Sequence, residues 1–344
     1  MSATKLRLKS AIVETARLSR LPQLFGASFG GVGAIIAMHR VRAASDQVFQ
    51  PNKTLEVTPA FLDRTLTHIH KLDLDIVSLD EAQRRLKERD FERRFVCLTL
   101  DDGYADNYLE AYPVFKAHQA PFSIYLTTGF LDHTCYFWWM LLEEVVRANS
   151  EVTLRIANRT VRKPTRTLKE KAKAFEALRW QFRALSAEAV ETASQDLCAD
   201  YSIDPAAFSA DHAMTWEMAA EITADALGSV ELHTERHLAL SLQSPEDIKA
   251  ELARSSARIA DKVGRVPRHF AFPFGDADAV TRREVDIVAD LPLSTATTTR
   301  AGTLRANHVD DLHALPRIML NGHYQSESYV DLTLSGLPYL LSHS

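Results

Sequence analysis

Short apolar runs alternate with amphipathic stretches along most of this chain. The runs Gly33–His39, Asp75–Ser78, Phe95–Leu100, Phe122–Leu126, Ser229–Leu232, His269–Phe272, Leu293–Ala296 and Ala314–Ile318 predict buried strands. Between several of them, apolar residues recur at helical spacing over Pro59–Lys71, Leu79–Glu88, Ala105–His118, Met214–Ala226, Pro245–Val263 and Thr281–Ala289. Strand–helix alternation implies parallel strands joined by crossover helices. About seven such strands predict an α/β fold, a (β/α) barrel of TIM-like form rather than an open sheet. From about Phe130 to Ala213 the rhythm stops. That segment holds a hairpin pattern (Val152–Ile156 and Thr160–Arg162), a charged helical run Thr167–Leu185, and more helix to Leu197. It predicts a mostly helical insertion, residues 131–213, inside a barrel domain of residues 31–330, with an N-terminal segment 1–30 and a tail 331–344.

Composition narrows the class without naming it. The 344 residues are 46% apolar and 25% charged, ordinary for a globular protein. A formal net charge of −5 gives no basic footprint for nucleic acid. Cys97, Cys135 and Cys198 are odd in number and widely spaced, which argues against a disulfide framework and favours a reducing, cytoplasmic setting. Residues 5–20 read as a helix in which Lys5, Arg7, Lys9, Arg17 and Arg20 outnumber Glu14. Such a helix packs on the domain or rests peripherally on the inner, anionic face of a membrane. Leu21–Met38 is uncharged, but Pro22, Gln23 and four glycines make it a loop entering the first strand rather than a span.

Two strand exits carry the chemistry. Phe95–Leu100 runs directly into Asp101-Asp102-Gly103. Adjacent carboxylates at the end of an apolar strand repel one another unless a cation intervenes, and barrel strands present catalytic groups at that end. Val230-Glu231-Leu232 leads into His233-Thr234-Glu235-Arg236-His237, two imidazoles at i and i+4 that can face one centre. Two histidines and a carboxylate with open positions make a catalytic rather than a closed structural site. A third exit, Ala271-Phe272-Pro273-Phe274-Gly275, sets an unusual backbone course where an N–H can meet an oxyanion. Tyr136, Phe137, Trp138 and Trp139 form an aromatic cluster, read as core with sugar stacking as the alternative. The basic stretch from Arg162 to Lys173 reads as a solvated face.

In this order, the motifs resemble those of the polysaccharide deacetylases, the NodB-like group of carbohydrate esterase family four. Leu98-Thr99-Leu100-Asp101-Asp102-Gly103 is similar to the family's T-F-D-D-G, His233-Thr234-Glu235-Arg236-His237 to its H-S/T-x-x-H, and Ala271-Phe272-Pro273-Phe274 lies where R-x-P-Y is expected. The resemblance implies metal-dependent hydrolysis of the N-acetyl group of N-acetylglucosamine-containing glycans. Asp102, His233 and His237 would hold Zn²⁺ or a similar ion such as Co²⁺, with Asp101 as base. Pro273 and the Phe274 N–H would serve the oxyanion. Ala271 stands where the family has an arginine that orients the catalytic aspartate, and Arg317 is the candidate to act from another strand. The family's late histidine, the proton donor, is assigned to His308 on the loop before the last strand, with His313 and His323 as alternatives. Competing readings are a glycan-binding barrel without turnover and an amidohydrolase of a small non-sugar amide.

Overall fold

The computed structural model describes residues 29–156 and 159–339. The basic segment 5–20 lies outside them. Seven parallel strands form the barrel: β1 (Gly33–Met38), β2 (Phe95–Asp102), β3 (Phe122–Leu126), β4 (Gly228–Leu232), β5 (His269–Ala271), β6 (Thr295–Ala301) and β7 (Leu315–Met319). Each pairs with the next, and β1 pairs both with β7, at Ile36↔Ile318, and with β2, from Gly33↔Phe95 to Met38↔Leu100, which closes the ring. Closure leaves no exposed sheet edge. Among the described residues no helix is long and apolar enough to cross a membrane.

Successive side chains of a strand point to opposite faces. In this barrel one alternate series gathers Ile35, Phe95, Cys97, Tyr125, Ala271 and Leu315 into a single apolar cluster. Helix α2 (Leu79–Glu88) adds Leu79, Ala82 and Leu86 to that cluster and plugs one mouth of the barrel. Continuing the same series along each strand reaches His39, Asp101 and Arg317. The other series packs outward against α1 (Pro59–Lys71), α3 (Tyr112–Ala117), α8 (Trp216–Ala224), α9 (Pro245–Val263) and α10 (Arg282–Ala289). Fully burying each Leu or Ile in that layer stabilises by about 1.5–3 kcal/mol.

Three predicted elements differ in detail. Of Asp75–Ser78, only Asp75 and Ile76 pair, beside the start of β2, because Ser78 already caps α2 by accepting from Glu81 N–H. The strand placed at Leu293–Ala296 lies at Thr295–Ala301. It is threonine-rich, and its hydroxyls reach Phe270 O, Leu315 O and the His269 ring, so it stays buried without an apolar signature. The helix expected over Ala105–His118 opens with a wide π-type turn at Asn107–Ala111 before α3.

The insertion is helical apart from a hairpin, Glu151–Ile156 with Arg159–Pro164. Its helices are α4 (Trp138–Ala148), α5 (Leu168–Arg183), α6 (Ala187–Asp200) and α7 (Pro205–His212). Thr167 and Glu170 start α5 with a reciprocal capping box. Trp138 stacks on Phe182 at a centroid distance of 4.8 Å, which seats α5 on α4. A last helix, α11 (Glu327–Leu334), packs Val330 and Leu334 into the core and runs across the 330/331 boundary.

Candidate active site

The carboxylates Asp101 and Asp102 occupy the last two positions of β2, both buried. They part company because Asp102 takes φ +78° and Gly103 follows at +84°. A side chain at Gly103 would meet Leu126 Cδ2 at 2.6 Å, so this reversal needs glycine. Asp101 remains in the inner series and receives a bidentate guanidinium: Arg317 Nη1 and Nη2 donate to its two oxygens, each at 2.7 Å. Arg317 Nε donates to Thr298 O at 3.0 Å, and the whole side chain is buried. Burial alone would raise the Asp101 carboxyl, but the charge and hydrogen bonds of Arg317 outweigh it and hold it below the ordinary carboxylate range. Removing either partner would strand a buried charge, at a cost of about 3–5 kcal/mol.

Asp102 faces the histidine pair. His233 and His237 Nε2 both lie 3.3 Å from Asp102 Oδ1. The segment between them is coiled rather than helical, with Thr234 at φ +68° and His237 at +52°. It is fastened by Thr127 Oγ1 donating to His233 O, by Thr128 N–H donating to Thr234 O, and by His237 N–H donating to Thr234 Oγ1. His233 Nδ1 lies 2.7 Å from the carbonyl of Ala271, where the proton must sit on the ring. That leaves Nε2 as a lone pair aimed at a carboxylate. Asp102 Oδ1 and His237 Nδ1 are buried and make no hydrogen bond. Burial also pushes the His237 imidazole below its ordinary value, toward the neutral form. Acceptors turned toward one another this closely repel unless a cation lies among them. Three ligand atoms within 4.8 Å, one carboxylate and two imidazoles, therefore fit a divalent metal with open positions.

A cavity of about 1200 Å³ holds these groups, and His39, Trp139, Phe274 and Thr299 line it with them. Trp138 and Trp139 are buried, so they serve as core and as cavity wall at once. Phe274 sits at φ +61° and Gly275 at +65°, and the Phe274 ring is 4.8 Å from that of His237. Among the described residues the Phe274 N–H has no hydrogen-bond acceptor. Ala271, in place of the expected arginine, contributes its carbonyl to His233 instead of a side chain to Asp101.

The late histidines are placed differently. His308 is on the short turn Ala306–Asp311, where its Nδ1 accepts from Arg305 N–H, and it is not among the cavity-lining residues. His313 Nε2 is 3.0 Å from Leu293 O, before β6 begins. His323 lines the cavity but not the acid pair. The imidazole beside Asp101 is His39, with Nε2 3.9 Å from Asp101 Oδ2 and a buried, unsatisfied Nδ1. By sequence pattern alone His39 is only the end of a strand. The available signal was the two-residue period Ile35, Ala37, His39, which carries an imidazole to the open end of the inner face.

Comparison with known proteins agrees with this arrangement at the level of family and fold. The polysaccharide deacetylase family matches residues 88–293. The Streptococcus pyogenes deacetylase PplD, solved in complex with acetate, superposes with a TM-score of 0.58 over 87% of this chain and 97% of that one, at 18% identity. IcaB from Ammonifex degensii gives 0.55 over 88% and 97%, at 17% identity. A de-N-acetylase from Aggregatibacter actinomycetemcomitans gives 0.55 over 87% and 99%, at 13% identity. At these identities the likeness shows a shared fold. No curated protein matches the chain in sequence.

Proposed function

The chain belongs to the polysaccharide deacetylase family, and from that premise we propose that it removes the N-acetyl group from N-acetylglucosamine units of an oligo- or polysaccharide, releasing acetate, with a divalent metal held by Asp102, His233 and His237. The observation that carries this reading is the Arg317-held Asp101 standing beside an unsatisfied Asp102–His233–His237 triad in one cavity. A cavity of about 1200 Å³ exceeds the needs of a small amide and accommodates more than one sugar ring.

The metal, most simply Zn²⁺, would supply Lewis acidity and lower the pKa of water. The chain's own residues do the rest. Asp101, kept ionised and fixed by the Arg317 fork, accepts the proton of the attacking water. The Phe274 N–H donates to the acetyl oxygen as negative charge gathers there. His39, on the Asp101 side of the cavity, donates a proton to the departing amine nitrogen. The products are acetate and a free amino sugar. Trp138, Trp139 and Phe274 form part of the cavity wall and exclude water from it.

The test is acetate release from N-acetylglucosamine oligomers by the metal-loaded protein, before and after chelation. Chelation should remove at least 90% of the activity, by analogy with the ~10-fold or larger losses that follow loss of a Lewis acid, and Zn²⁺ or Co²⁺ should restore it. Glycan binding with bound metal and no acetate would replace this reading with a binding barrel.

A further inference from the structure

The helical insertion lines the active-site cavity with several residues, and one of them, Arg183, also grips a loop of the barrel. Arg183 ends α5, and its side chain is only 9% exposed. Its Nη1 and Nη2 donate to Asp276 Oδ2 and Oδ1 at 2.8 and 2.9 Å. The same guanidinium lies 4.5 Å above the Phe274 ring and 4.8 Å from the Trp180 ring. It therefore grips the loop after β5 on both sides of its most constrained point. That point is Phe274-Gly275, two consecutive residues with positive φ. An aromatic residue in the left-handed region is a genuine outlier and persists only where its surroundings enforce it. Local bonds supply part of that enforcement: Gly275 N–H to Pro273 O at 2.7 Å, and Thr299 N–H to Gly275 O at 3.0 Å. Gly275 cannot be replaced, because an added Cβ would lie 2.6 Å from Thr299 N. Thr299 Oγ1 also donates to Phe274 O at 2.7 Å, and Ala279 and Val280 N–H donate to Asp276 O. Arg183 is the side chain that joins the Phe274 ring and the Asp276 carboxylate in a single grip.

We infer that Arg183 is a positioning residue for deacetylation, clamping Asp276 and Phe274 so that the Phe274 N–H stays aimed at the reacting carbonyl. The inference rests on the deacetylase reading above. It also explains what the insertion contributes to the site. The barrel itself supplies the loop after β5, and the arginine that grips that loop comes from a helix 93 residues earlier in the chain. A planar fork suits this place better than an ammonium, because it must pair bidentately with a carboxylate and stack on a ring at once.

The experiment compares the metal-loaded protein with its Arg183→Ala, Arg183→Lys, Asp276→Asn and Arg183→Ala/Asp276→Asn variants. Arg183→Ala should lower kcat about 10- to 100-fold, since small displacement of an oxyanion donor costs that much. KM should change less than about threefold and metal content not at all. Added guanidinium should restore part of the Arg183→Ala loss, Arg183→Lys should recover less than the parent, and the double variant should be no worse than the worse single one. A raised KM with unchanged kcat would make Arg183 a substrate contact and overturn the inference. If the parent protein released no acetate, the functional reading would fail, and the clamp would then be judged by hydrogen exchange alone. Faster exchange confined to residues 272–280 in Arg183→Ala supports it, and unchanged exchange refutes it.

Discussion

Two histidine–carboxylate constellations sit on the inner face of this barrel, one at each end, and they are finished in opposite ways. At the start of β5, His269 has both ring nitrogens engaged: Nδ1 is 2.8 Å from Thr295 Oγ1 and Nε2 is 3.2 Å from Asp80. Glu231 accepts from the backbone N–H groups of Arg268 and His269, and Arg268 also pairs with Asp80. Each side chain of that cluster has a partner. At the other end, His39 Nδ1, Asp102 Oδ1 and His237 Nδ1 are buried and have none. Burying a polar group unpaired costs about 1–3 kcal/mol. The fold satisfies one cluster fully and leaves the other with unpaired polar atoms, which is what the proposed metal site calls for. The residue types are the same at both ends, so the difference lies in completion.

Breaking the incomplete cluster should be felt in turnover. Asp101→Asn removes the base and leaves the buried Arg317 charge without its carboxylate, so acetate release should fall by about 10³-fold or more while bound metal persists, and stability should fall as well. His39→Gln should cost about 10²-fold, chiefly in kcat. Metal analysis with steady-state kinetics checks both. Full activity in Asp101→Asn would assign the base elsewhere, and full activity in His39→Gln would return the proton-donor role to another histidine.

The His269 cluster should answer in stability alone. His269→Ala leaves Asp80 and Thr295 without their shared partner, which should cost about 2–3 kcal/mol of stability. Below the unfolding transition, kcat should stay within about twofold of the parent. Denaturant unfolding beside the acetate assay measures the pair. A kinetic loss larger than the stability loss would erase the contrast between the two ends.

The smallest effect concerns the helix behind the cavity. His68 on α1 lies 2.6 Å from Asp331 and 3.7 Å from Glu327 on α11. The hydrogen bond to Asp331 raises the imidazole above its ordinary value; burial and Lys71 oppose this, and the charges of Asp331 and Glu327 add to it. With the folded value above the unfolded one, this stabilisation is complete below about pH 6.5 and is lost as pH rises through the folded value. The melting temperature should therefore drift down from about pH 6 to about pH 8, and His68→Gln should flatten that drift. An identical slope in both proteins would remove His68 from the account.

Local pattern made much of this molecule legible. Apolar runs of strand length located six of the seven barrel strands to within a few residues, because a strand buried on both faces must be nearly continuous in apolar residues. The seventh, Thr295–Ala301, is polar in composition and apolar only in effect, since its hydroxyls are satisfied inside the barrel. Asp101-Asp102-Gly103 and His233 to His237 stood out because each is contiguous, and contiguity is what a sequence displays.

The partners that complete those groups are contiguous with nothing. Arg317 meets Asp101 across 216 positions. His39 arrives from the first strand because closure sets β1 against β2. Ala271 helps through a carbonyl, which no side-chain motif records. Arg183 comes from an insertion whose place over the loop follows from packing such as Trp138 on Phe182. The sequence by itself determined the strands, the barrel class and the pairs of acids and imidazoles, because short-range periodicity and adjacency encode them. Only the tertiary structure decided which third imidazole and which clamp join them, and it set the candidate Arg317 against Asp101. Those choices depend on strand order, on inward alternation and on ring closure, which bring distant parts of the chain into contact.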